Sequence, residues 1–290
     1  MRQLVCGAIA ACSAVALLAA QGGPATPFTL DDTLQRVAAR VEQWYSRAQT
    51  VVSTETVSIQ PLEYNLTPAG FARRLAFELR VAWDPEVLGP NGRPEPEVTR
   101  QILSVNGRPP KADPGADGCM DPKPVSPEAL SMLLPWHLAE SKFSPAGLAR
   151  VDNRAAMMID YTNITVQPPE ITWTDDCVNV NLPGRSRGRI WIDVRTFEVL
   201  RIDDRLASSF EFPVPQQYVR RGAARSMTVE RAETSIRYRN VNFEDPTETL
   251  LMPVAMDSLT IMGGGTTQRT RFTQRFSNYR RFLTGGRLLD

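Results

Sequence analysis

The chain has 290 residues, with 33 basic side chains against 32 acidic ones and a single histidine. A length of this kind allows one large domain or two small ones. A net charge of +1 excludes the strong overall field that draws a protein to nucleic acid or to an anionic surface. Lysine occurs only at 111, 123 and 142, so nearly all the positive charge is arginine.

Residues 1–22, beginning "MRQLVCGAIAACSAVALLAAQG", carry one arginine and then an apolar, small-residue run that ends before Pro24. That is the pattern of a secretory signal peptide, with cleavage expected between Ala20 and Ala25. Two alternatives stay open: a retained anchor, which needs roughly 20 apolar residues, and a lipoprotein acylated at Cys12. Export places the mature chain, 23–290, in the periplasm or outside the cell. Losing Arg2 leaves 32 basic residues against 32 acidic ones. Two cysteines remain, Cys119 and Cys177, and an oxidising compartment favours a bond between them. It would close a loop of about 58 residues, worth at most about 4 kcal/mol; the alternative is two separate buried thiols.

Leu30, Leu34, Val37, Val41 and Trp44 recur at three- and four-residue spacing, which predicts a helix from Thr29 to Gln49 with Thr29 as its N-cap. Strands follow. In "RLAFELRVAW", Leu75, Phe77, Leu79, Val81 and Trp83 share one face, and Arg74, Glu78 and Arg80 share the other. Residues 84–97 are rich in Pro and Gly and read as a long exposed loop. A second long loop ends at Ser126-Pro127-Glu128, which opens a short helix, "EALSMLL".

From Arg154 onward most segments alternate polar and apolar side chains. "GRIWIDVRTFEVLRID" reads as a hairpin with Ile190 and Ile192 on one face of its first strand and Leu200 and Ile202 on one face of its second. No domain linker is visible. The fold class is α+β: an N-terminal helix and a short helical insert on a large antiparallel sheet of eight or more strands.

Chemistry is sparse. His137 with Glu140 is too small a set for a metal site, so none is expected. A Ser-His-Asp triad would need His137, and there is no Gly-x-Ser-x-Gly elbow. No phosphate-cradling glycine motif follows a strand, and no cofactor is implied. Asp193, where a strand enters its turn, reads as a cap of turn backbone. The arginines at 269, 271, 275, 280 and 281 suit either a grip on phosphate or the solvated face of a strand.

The order of leader, helix and long sheet, with "VDNRAAMMIDY", "GRIWIDVRTFEVLRID" and "FSNYRRF", resembles the periplasmic outer-membrane lipoprotein carriers of LolA/LolB-like fold from Val51 to Phe282. The resemblance implies a curved sheet, an incomplete barrel, that holds an acyl chain or other apolar ligand. Leu75, Phe77, Leu79, Val81, Trp83, Ile190, Ile192, Leu200 and Ile202 would line that site. It also implies a non-enzymatic protein, a possible envelope protein partner, no nucleic acid, and peripheral membrane contact at most. The alternatives are an envelope interaction or structural module filled by its own helices, and a hydrolase without a recognisable motif.

Overall fold

The structure, a computed structural model, describes residues 29–48, 50–88, 94–110, 128–174, 177–219, 224–264 and 267–281. The leader, with its boundary at 22, and Cys119 lie outside these residues, as does the side chain of Cys177, so the expected disulfide falls outside them too.

Helix α1 (Leu30–Arg47) leads into β1 (Thr50–Pro61), β2 (Arg73–Leu88) and β3 (Pro94–Val105), and α2 (Glu128–Ser131) follows. Then come β4 (Ser141–Val151), β5 (Arg154–Asn163), β6 (Glu170–Thr174), β7 (Cys177–Asn181), β8 (Ser186–Asp193) and β9 (Val199–Leu206). The chain continues through β10 (Phe210–Pro213), β11 (Ser226–Phe243), β12 (Glu248–Gly263) and β13 (Gln268–Arg281). One open antiparallel sheet takes the order β3-β2-β1-β13-β12-β11-β9-β8-β5-β4; β10 pairs with β11 beyond the end of β9, and β6 with β7 forms a separate ribbon. The α+β class and the curved, unclosed sheet agree with the sequence expectation.

α1 starts where its cap predicts: the Thr29 hydroxyl accepts from the Asp32 backbone N–H at 3.2 Å. Its apolar stripe, Leu34, Val37, Val41 and Tyr45, packs with Leu130 and Leu133 of the insert onto Ile159, Ile190, Ile192, Leu200, Ile202 and Ile236. At roughly 1.5–3 kcal/mol for each fully buried aliphatic side chain, this cluster fixes the helix on one face of the sheet. The described residues contain no helix long and apolar enough to cross a membrane.

The expected loop at 84–97 is corrected. β2 continues to Leu88 and β3 begins at Pro94, with Trp83 opposite Pro96. The prolines are tolerated because β3 is an edge strand, where a missing N–H can face outward. The other edge, β4, contains Pro145 and Gly147 around a bulge.

Candidate functional site

Every strand of the hairpin β8–β9 and its neighbours has one face against α1 and one face away from it. On the packed face, Tyr161 and Asp204 both lie opposite Gly188. With no side chain at 188, the Tyr161 ring lies over the backbone and its hydroxyl donates to Asp204 Oδ1 at 2.7 Å. A Cβ at 188 would meet the Asp203 carbonyl oxygen at 1.9 Å and the Tyr161 ring at 2.8 Å. Burial holds the Asp204 carboxyl above its ordinary range, partly offset by the Tyr161 and Ser186 hydroxyls. Burial also raises the Tyr161 hydroxyl far above its own ordinary value.

The hairpin turn is capped by Asp193, whose Oδ1 accepts from the backbone N–H of Arg195 at 2.8 Å and of Thr196 at 2.9 Å. Its other oxygen accepts from Arg154 Nε at 2.7 Å. Burial opposes ionisation of Asp193, but these donors together hold its carboxyl below the ordinary range.

The face away from α1 is charged, and the register arranges its side chains in rows across the strands. One row runs Asp160, Arg189, Asp203, Ser235, Asp257 and Thr273. The row on one side of it runs Trp191, Arg201, Arg237, Ala255 and Arg275. The row on the other side runs Arg187, Arg205, Glu233, Leu259, Arg271 and Gln60. An aspartate row therefore lies between two arginine-bearing rows.

The aspartates are matched by nearby arginines. Arg189 holds Asp160 through two bonds of 2.6 and 3.0 Å, and Arg201 holds Asp203 through two of 2.7 Å. Asp257 is reached by Arg237 and Arg275, each at 3.1 Å. The Arg189 bond keeps the Asp160 carboxyl below its usual range. Arg201 also lies 4.6 Å from the centre of the Trp191 ring. A cavity of about 780 Å³ opens on this face, bounded by residues of all three rows. That is within the size range of small-molecule sites.

The sequence-expected ligand residues occupy the packed face. Ile190 and Ile192 have no exposed surface, and Leu200 and Ile202 are almost fully buried among α1 and its neighbours. Leu75 and Phe77 belong to a different cluster with Val57 and Ile59, and Leu79 to a third with Phe276. Leu79 and Val81 border a cavity of about 30 Å³ together with Trp44, Val51, Tyr238 and Phe276. Trp44 also borders a second cavity, of about 60 Å³, whose wall mixes the apolar Val41, Phe197 and Val199 with the polar Arg40, Gln43 and Glu198. The structure thus separates the β2 residues from the hairpin residues; the side chain of Trp83 is outside the described residues.

Two features were not singled out from sequence. Glu55, with no exposed surface, is bonded by Arg100 through 2.8 Å contacts to both oxygens and by Gln274 at 2.6 Å. The charged rows are the other, apart from Arg271 and Arg275, which the sequence offered as a phosphate grip or a solvated strand face. Their signal was the alternation Arg185, Arg187, Arg189 and Arg201, Asp203, Arg205, the polar counterpart of the apolar period. His137 Nδ1 lies 2.7 Å from Glu140, and the described residues contain no group of three His, Cys, Asp or Glu side chains arranged to hold a metal.

No family model matches the chain, and no curated protein matches it. Among solved structures it is similar to a DUF1329 family protein from Desulfovibrio piger, at 11% identity over 88% of this chain and 94% of that one, with a TM-score of 0.41. It is similar to a LolA superfamily protein from Nitrosomonas europaea at 6% identity, over 87% and 94% of the two chains, with a TM-score of 0.37. A putative outer membrane lipoprotein-sorting protein domain from Vibrio parahaemolyticus is 7% identical over 88% and 94%, with a TM-score of 0.39. Similarity at this level assigns no role to any residue of this chain.

Proposed function

We propose that this is an exported, non-enzymatic binding protein of the cell envelope that takes an apolar ligand or acyl chain between α1 and the sheet. The observation that carries the reading is a pair of small cavities that share Trp44 in their walls, of which the one bordered by the sequence-expected residues Leu79 and Val81 is mainly apolar. Trp44 lines both and is held by a 2.6 Å bond from its indole N–H to the Leu251 carbonyl. The cavities as they stand are too small for a long chain, so the ligand enters as the C-terminal part of α1 moves. The polar contacts that hold that part of the helix include Trp44 to Leu251, Arg40 to the Thr196 carbonyl at 3.0 Å, Arg47 to Glu248 at 2.9 Å, and Arg281 to the Arg47 carbonyl.

The test is binding of N-phenyl-1-naphthylamine, with native mass spectrometry for co-purifying lipid. Wild type is expected to bind the probe, Trp44→Ala to bind it more tightly by enlarging both cavities, and Leu79→Trp to lose binding while remaining folded. Absence of probe and lipid from both wild type and Trp44→Ala would overturn the reading. That outcome would favour an envelope interaction module with a filled core, which the complete burial of Ile190 and Ile192 supports.

A further inference from the structure

Arg187, Arg205 and Arg271 stand in one row, border the 780 Å³ cavity and are exposed. Among the described residues, none of the three is held in a bidentate or short ion pair like those of Arg189, Arg201, Arg237 and Arg275; Arg205 only acts through space on Asp160, a carboxylate that Arg189 already holds. The one acid in their row, Glu233, is engaged by Arg231 at 2.7 Å. Arg187 and Arg205 are directly opposite each other in the ladder. Like charges so placed, with Cβ atoms about 5 Å apart, repel one another. Arg271 is three strands from Arg205, across β11 and β12, a distance of about 14 Å at the usual spacing between strands.

We propose that this row is a binding site for a ligand carrying at least two phosphate groups, one between Arg187 and Arg205 and another at Arg271. A carboxylate between the first two arginines would neutralise only one of them. A phosphate monoester carries about −1.5 to −2 at neutral pH and offers three acceptor oxygens, enough to compensate both. The spacing to Arg271 asks for a second anion, and the cavity has room for the body that joins them. A peptide fits less well, because the face is made of central strands whose backbone groups are already paired. The site is on the opposite side of the sheet from Trp44 and does not depend on the apolar-ligand reading.

The phosphates could belong to a soluble metabolite or to a lipid headgroup, and the experiment separates the two. Calorimetry in roughly physiological salt uses inositol hexakisphosphate as the soluble probe, and flotation uses phosphatidylcholine vesicles containing phosphatidylinositol 4,5-bisphosphate, whose two ring phosphates are monoesters. Saturable binding of the soluble probe is expected, weakened at least tenfold by Arg187→Gln and by Arg271→Gln. Arg195→Gln, the same charge change at an exposed position on the hairpin turn, should stay within twofold of wild type. Arg187→Gln should unfold at the same temperature as wild type or higher, since it removes a repulsion, so lost binding would not reflect lost structure. Vesicle binding displaced by the soluble probe places the phosphates on a lipid; probe binding without vesicle binding places them on a soluble molecule. No saturable binding of the probe, or equal weakening by Arg195→Gln, overturns the proposal.

Discussion

The two faces of the sheet use the same chemical pair in opposite ways. On the packed face, Arg100 grips Glu55, whose side chain has no exposed surface while its own is only 13% exposed. On the open face, Arg189 grips Asp160 with similar geometry, yet both side chains are 39–45% exposed. Removing one partner of the first pair strands a charge away from water; removing one of the second returns the other to solvent. Geometry alone therefore does not rank these bonds. The surroundings do, and they divide the molecule into a face that holds it together and a face whose charges are available for binding.

The largest expected effect tests that division. Arg100→Met should cost about 3–5 kcal/mol, because Glu55 stays buried without its cation. Urea denaturation measures it, and a cost under about 1 kcal/mol would mean the two faces are alike. Next is Ile190→Ala, expected to cost about 2–5 kcal/mol as a large-to-small change in a filled core. A much smaller loss would mean the core beside the hairpin can collapse or was never tightly packed.

Asp193→Ala should cost about 1–3 kcal/mol by leaving two turn N–H groups without their acceptor and Arg154 with Glu198 as its remaining carboxylate. Asp193 and Asp204 also predict opposite pH behaviour. The Asp193 carboxyl is depressed in the folded protein, so its contribution is present above the ordinary aspartate range and is lost as pH falls through the depressed value. The Asp204 carboxyl is raised, so stability is fully present below the ordinary range and declines as pH rises through the raised value. Urea midpoints against pH should lose the second decline in Asp204→Asn, which cannot ionise. The smallest effect belongs to the open face: Arg189→Ala should change stability by no more than about 1 kcal/mol. A larger loss would make that face structural.

The legible parts of this fold were those in which a single strand carries its own signal. α1 shows its stripe and cap in consecutive residues, and Ile190, Ile192, Leu200 and Ile202 show period two. The edges were harder to read. β3 and β4 carry Pro94, Pro96 and Pro145, which are breakers in a central strand but acceptable at an edge, and no residue announces that its strand will be outermost. The site was least legible. Ile190 and Leu79 are both apolar members of alternating strands, yet α1 lies against one cluster and a different set of side chains surrounds the other. Likewise, the alignment of Arg187 with Arg205 and then Arg271 depends on which strands become neighbours, and the period of one strand does not contain that.

The seam between β1 and β13 has a consequence in time. Thr56 pairs with Arg275, and Gln60 with Arg271, across more than two hundred residues of chain. The hairpin of β1 and β2 can form early, but its attachment to the rest of the sheet waits for a segment synthesised more than two hundred residues later. Loops this long close slowly, and sheets dominated by distant pairings fold slowly. Until β13 arrives, the inner edge of β1 stays open to any other extended chain. A ribosome stalled before residue 268 would present a folded β4–β5–β8–β9 unit beside an unattached N-terminal hairpin, which protease should trim first.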